Sequence, residues 1–146
     1  MLIREMEHGD LSQLLELYTH LHNSEMPAID STLEELWDRI NNDKNHHIIV
    51  GIEDEAVISS CVINIIPNLT HDQRAYALIE NVITHPKHRG NGYATEILSH
   101  AKTIAKESNC YKIMLLTGSK RQATLDLYKR AGYNKDDKTA FIQWLD

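Results

Sequence analysis

The stretch "VITHPKHRGNGYATEIL", Val82 to Leu98, decides the fold. Val82-Ile83-Thr84 has the β-branched character of a strand end. Pro86 breaks the strand, and Lys87, His88 and Arg89 give the connection a positive charge. Gly90 and Gly92 flank Asn91, and then Ala94, Ile97, Leu98, Ala101, Ile104 and Ala105 recur at three-to-four spacing. That periodicity predicts a helix from Gly92 to Ser108 with one apolar face. A helix start exposes unpaired N–H groups and the positive end of the dipole. Glycines there let an anion approach the backbone, and Arg89 adds a fixed charge. Two readings follow: a phosphate cradle, or a tight strand-to-helix connection with no ligand. The stretch is neither G-x-x-x-x-G-K-[ST] nor G-x-G-x-x-G, which opposes an ATP-type P-loop and a dinucleotide site.

On either side the chain reads as alternating elements. Leu2 to Met6 is a short first strand, and Asp10 is placed to cap a helix carrying Leu11, Leu14, Leu15, Tyr18 and Leu21. Ser31-Thr32-Leu33-Glu34 has the capping-box pattern and opens a helix through Leu36, Trp37 and Ile40. His47–Ile52 and Ala56–Ile66 are β-rich runs joined by Glu53-Asp54-Glu55, a hairpin turn without the usual glycine. Ala75–Thr84 is a further strand, and Tyr111–Leu116 is an apolar run of the kind buried on both faces. Arg121–Ala131 is a helix stopped by Gly132, with a short strand near Tyr133 as an option, and Thr139–Leu145 is the last strand. Strand–helix–strand across Leu78–Leu116 implies a parallel crossover, and the earlier hairpins imply antiparallel pairing. The expected fold is a mixed α/β sheet with helices on both faces, in one domain over residues 1–146.

Composition bounds the function. Apolar residues make up 42% and charged residues 25%, as in ordinary globular proteins, and the net charge is −6. An acidic chain does not suit broad nucleic-acid binding, which needs a basic footprint, and it suits a cationic small substrate weakly. No apolar run reaches membrane-span length and no signal peptide is evident, so the expected partner set excludes membrane and the expected location is cytoplasmic. Cys61 and Cys110 read as reduced thiols in apolar strands. Nine histidines show no ligand spacing, so no metal is expected.

Arg89-Gly90-Asn91-Gly92-Tyr93-Ala94 fits R-x-x-G-x-A, which resembles the acetyl-CoA pyrophosphate loop of the GNAT superfamily of N-acetyltransferases. The preceding Val82-Ile83-Thr84-His85-Pro86 and the later Leu127-Tyr128-Lys129-Arg130-Ala131-Gly132-Tyr133 are similar to that family's segments in the same order. The resemblance implies a mostly antiparallel sheet with a V-shaped splay and acetyl-CoA as co-substrate. It implies contacts from Val82, Ile83 and Thr84 to the pantetheine arm, and from Arg89 and the amides of Gly90, Asn91, Gly92, Tyr93, Ala94 and Thr95 to the pyrophosphate. Tyr128 matches the family's proton donor to the leaving thiolate; its other reading is a core aromatic. Glu80 interrupts an apolar strand where substrate is expected and is the candidate base, or else an exposed strand carboxylate.

"IENV" (79–82) and "CYKIML" (110–115) are similar to glucosamine-6-phosphate N-acetyltransferases, which places Glu80, Asn81, Tyr111 and Lys112 near substrate by that likeness. Asn81 and Leu116 stand where those enzymes carry acidic residues, and the last strand has no arginine. Arg121 and Thr124 replace the asparagine and alanine common in the motif helix. Arg121 is open to two readings, a phosphate contact or a solvated helix start. The expected activity is acetyl transfer to a primary amine of a small molecule. The alternatives are a protein amine as acceptor, or a non-catalytic CoA-binding module. A homodimer through the Phe141–Leu145 strand is an open option.

Overall fold

The computed structural model describes all 146 residues. The chain runs β1 (Leu2–Glu5), α1 (Leu11–His22), α2 (Ser31–Asn42), β2 (His46–Glu53), β3 (Ala56–Ile66), β4 (Tyr76–Thr84), α3 (Tyr93–Glu107), β5 (Ile113–Leu115) and α4 (Gln122–Arg130). The five strands form one sheet in the order β1-β2-β3-β4-β5. The first three pairings are antiparallel and β4–β5 is parallel. No helix is long and apolar enough to cross a membrane.

Residues in a strand alternate between faces, and here both faces are covered. On one side Ile49, Cys61, Ile63 and Ile79 pack with Ile97, Leu98 and Ala101 of α3. On the other, Ile48, Val50, Val62 and Ile83 pack with Leu14 and Leu17 of α1 and Trp37 of α2. Burying each large aliphatic side chain contributes about 1.5–3 kcal/mol. The Trp37 indole donates to the His8 carbonyl at 3.1 Å, so its one polar atom is satisfied.

The Glu53–Glu55 hairpin closes without glycine because Asp54 and Glu55 themselves take φ of 48° and 64°. That is the left-handed geometry of a primed turn, which acidic residues tolerate better than β-branched ones.

Several local expectations need correction. Asp10 does not cap α1 with its side chain. Its carboxylate accepts from both Arg4 terminal nitrogens, at 2.7 and 3.0 Å, and from the Glu7 amide at 2.7 Å. The ion pair fixes the end of β1 to the start of α1 and holds the Asp10 carboxyl below its ordinary range. The cap of α2 is Asp30, accepting from the Leu33 amide at 2.9 Å, one residue before the capping-box pattern. β5 is only half-buried, because it lies at the sheet edge with a neighbour on one side alone. No strand forms near Tyr133 or over Thr139–Leu145. The latter segment has β-prone residues but no strand beside it to supply a ladder of hydrogen bonds.

Candidate active site

The site begins where β4 and β5 part. Their pairing covers Ala77–Ile113, Leu78–Met114 and Ile79–Leu115, and then ends. β4 continues to Thr84 with no strand paired on its β5 side. The parting coincides with a bulge on the opposite edge. Ser60 faces Ile83 and Val62 faces Glu80, so Asn81 and Val82 oppose the single residue Cys61. Asn81 takes φ 52°, and such a bulge bends the strand and re-aims the side chains around it. Glu80 and Asn81 are exposed at this point.

Beneath the bulge, Tyr18 of α1 brings its hydroxyl beside Ser60 and Asn81 without completing a hydrogen bond to either. Burial pushes that hydroxyl up to about 12, and the two polar neighbours offset the push only in part. Farther along, the Ser59 hydroxyl donates to the Ile83 carbonyl at 3.0 Å and meets the Thr84 hydroxyl at 2.9 Å. These contacts tie the last residues of β4 to β3 just before the loop.

The loop itself turns through a 3-10 segment, Pro86–His88. Gly90 and Gly92 both have φ 84°, a conformation that costs other residues strain. The amides of Gly90, Asn91, Gly92, Tyr93 and Ala94 donate to no acceptor within the protein. The Thr95 amide, by contrast, already donates to the Gly92 carbonyl at 2.9 Å. Arg89 folds back so that its Nε donates to the Thr84 carbonyl at 3.1 Å, and its terminal nitrogens have no protein partner. Five successive free amides, two left-handed glycines and a positioned guanidinium fit a pyrophosphate.

The loop is braced by groups outside the motif. The Tyr93 hydroxyl donates to Glu53 at 2.6 Å, and His88 Nδ1 lies 3.0 Å from the other carboxylate oxygen. Hydrogen bonding from Tyr93 and then from His88 lowers the Glu53 carboxyl, and the same contact raises the Tyr93 phenol. His85 is pushed down by burial and by nearby His20, His88, Lys87 and Arg89. The sequence places Glu53 only in a turn, because its partners Tyr93 and His88 lie 40 and 35 residues further along the chain.

Tyr128 lies on α4, packed against the α3-side core and edge-on to Tyr133 at 6.3 Å. Its hydroxyl is raised by burial first, with smaller pushes from Cys61 and the Glu80 carboxylate. The expected site residues thus divide. Glu80, Asn81, Val82, Ile83 and Thr84 lie along the free stretch of β4, which leads into the loop from Arg89 to Thr95. Tyr111 and Lys112 sit at the closed end of the V. Tyr111 donates its amide to the Ala75 carbonyl, and the Ala77 amide donates to the Lys112 carbonyl. That is about 10 Å along the strand from Glu80. There Tyr111 stacks on His71 with centroids 3.9 Å apart, and Lys112 Nζ lies 5.3 Å from both the Tyr76 and Tyr111 rings. Arg121 is an exposed N-terminal residue of α4, and Thr124 meets Ser119 at 3.2 Å. No group of three or more His, Cys, Asp or Glu is arranged to hold a metal ion.

A sheet that opens beside a glycine-bearing helix start defines an acetyltransferase fold. The chain belongs to the acetyltransferase (GNAT) family, whose model matches residues 11–133. It is 26% identical over 140 residues to a glucosamine 6-phosphate N-acetyltransferase of Trypanosoma brucei brucei, covering 93% of this chain and 90% of that one. A putative acetyltransferase from Agrobacterium tumefaciens superposes with TM-score 0.90 at 33% identity, over 99% of this chain and 100% of that one. A structure described as a transcriptional regulator from Bacillus halodurans superposes with TM-score 0.86 at 26% identity, over 98% and 99% of the two chains.

Proposed function

We propose that the protein transfers an acetyl group from acetyl-CoA to the primary amine of a small molecule, with both bound at once. The observation that carries this reading is the free stretch of β4, with Glu80 at its start and five unpaired amides just beyond its end. When bound, acetyl-CoA supplies an activated thioester whose carbonyl carbon accepts the amine and whose sulfur leaves as thiolate. Val82, Ile83 and Thr84 offer backbone groups along the pantetheine arm. The amides of Gly90 to Ala94 and the Arg89 guanidinium take the pyrophosphate.

Three residues carry the chemistry. Val82, which has no register partner in β3 at the bulge, offers its amide to the thioester oxygen as charge develops there. Glu80 removes the ammonium proton, directly or through a water, so that a neutral amine attacks. Tyr128, held protonated by its raised pKa, gives its proton to the thiolate. Asn81 hydrogen-bonds the acceptor beside Glu80. Tyr111 and Lys112 contribute only to an acceptor long enough to reach the closed end of the V. The trypanosome relative's name puts amino-sugar phosphates first among acceptors to try.

The test is release of free CoA thiol from acetyl-CoA across a panel of amino-sugar phosphates, free amino sugars, polyamines, aminoglycosides and amino acids. Turnover with one class supports the reading. The Bacillus relative's description favours a second reading, a cofactor-binding module without catalysis. That reading predicts saturable acetyl-CoA binding with no turnover on any amine.

A further inference from the structure

Two buried hydroxyls lie at the β4 bulge with nothing to bond to. Tyr18 Oη, from the middle of α1, and Ser60 Oγ, from β3, are the two buried side-chain polar atoms that the fold leaves without a partner. Elsewhere it satisfies such groups. The Trp37 indole reaches the His8 carbonyl, and Ser59, next to Ser60, reaches the Ile83 carbonyl and the Thr84 hydroxyl. An unmet buried hydroxyl lowers stability, so its retention calls for a use. Both oxygens are closed to solvent, which leaves no room for a bridging water. The third group at this place is Asn81, whose side chain neighbours the Tyr18 hydroxyl while the residue is exposed where β4 and β5 part. Asn81 has no register partner in β3 or in β5, and it sits at φ 52°. Its side chain can therefore turn without breaking strand pairing. An amide carries an acceptor oxygen and two donor hydrogens, enough to serve a phenol and a ligand at once.

We propose that Tyr18 is a positioning residue for the acceptor: the hydrogen bond it lacks in the free protein forms when a bound amine turns the Asn81 side chain onto it. The inference rests on the acetyl-transfer reading, in which Asn81 meets the acceptor. One direction of bonding places every proton. Ser60 donates to Tyr18, Tyr18 donates to the Asn81 side-chain oxygen, and the Asn81 NH2 is left to donate to the acceptor. In the reverse direction the Ser60 proton would still have no acceptor. Burial keeps the Tyr18 phenol protonated, as a donor must be. The free protein thus carries an unmet hydroxyl whose cost is relieved only in the complex, and acceptor affinity gains by that amount.

Tyr18→Phe keeps the ring in place and deletes the unmet hydroxyl, so stability and acceptor affinity are expected to move in opposite directions. The midpoint of urea unfolding of the free protein is expected to rise, because a cost is removed. An unchanged or lower midpoint would mean that the hydroxyl is already bonded without an acceptor, and it overturns the inference. Steady-state kinetics on the panel amine that the parent acetylates fastest read the other half. Tyr18→Phe is expected to raise the acceptor KM about fivefold, the worth of one hydrogen bond, with kcat and acetyl-CoA affinity unchanged. In an Asn81→Ala background the same substitution is expected to leave KM where Asn81→Ala alone puts it. An unchanged KM in Tyr18→Phe, or an undiminished rise when Asn81 is absent, overturns the inference while the acetyl-transfer reading stands. A parent protein that acetylates no amine fails that reading, and this inference with it.

Discussion

Tyr93 and Glu53 meet through a 2.6 Å hydrogen bond that ties the first residue of α3 to the last residue of β2. The residues are forty apart in sequence. His88 joins the same carboxylate from the loop, so the connection between β4 and α3 is held at both ends by one side chain. Glu53→Gln keeps the shape but removes the charge that both partners recognise. Acetyl-CoA affinity is expected to fall about fivefold with the fold intact. An unchanged dissociation constant by calorimetry contradicts this bracing role.

The same network sets a pH dependence. Glu53 is lowered on folding, so its contribution is present above the ordinary carboxylate range and is lost as pH falls through its folded value. Tyr93 is raised, so its contribution is present below the ordinary phenol range and is lost as pH rises through its folded value. Cofactor affinity is therefore expected to hold across neutral pH and weaken in acid, and Glu53→Gln is expected to flatten the acid limb. Titrations of both forms from neutral pH downward check this.

Tyr128→Phe removes the proposed proton donor and little volume. The turnover rate is expected to fall about a hundredfold with acetyl-CoA affinity nearly unchanged. Because the hydroxyl is raised, the parent enzyme is expected to show no falling limb from this group below the ordinary tyrosine range. Paired rate and binding measurements decide it, and an unaltered rate removes the role.

Gly92→Val puts a β-branched residue at φ 84°. Nothing lies within 4 Å of the added Cβ, so strain and intrusion on the cradle act without a clash. A stability loss of about 1–2 kcal/mol is expected, with acetyl-CoA binding lost. Chemical denaturation and calorimetry on one sample separate the two effects.

Asp10→Ala removes the two-pronged partner of Arg4, leaving it the exposed Glu7 carboxylate at 3.6 Å and the Glu5 carbonyl, and leaves the Glu7 amide without an acceptor. A loss of about 2–3 kcal/mol is expected. Since Asp10 is lowered on folding, its contribution persists above the ordinary carboxylate range and disappears as pH falls through its folded value. The gap between parent and variant in urea unfolding is expected to close in acid.

The sequence carried these features unevenly. β3 was legible end to end because its eleven residues, AVISSCVINII, are dominated by Val and Ile, follow the Glu53–Glu55 turn and stop before Pro67. The loop was legible because glycines at left-handed positions announce themselves. Glu53 and Tyr18 were not, since each acts on a residue distant in the chain and looks ordinary where it stands. The bulge at Asn81 was also hidden: it depends on the count of residues in the neighbouring strand, which no local pattern records. Thr139–Leu145 has the composition of a strand, but strand formation requires an edge to pair with, and composition says nothing of which chain supplies it.

The most direct measurement of the central claim is calorimetric titration of the full chain with acetyl-CoA, alongside ATP and NAD. Saturable binding of acetyl-CoA, absent for the other two, is the predicted result. No binding of acetyl-CoA, or equal binding of all three, would contradict the assignment of the Arg89–Ala94 loop as its pyrophosphate site.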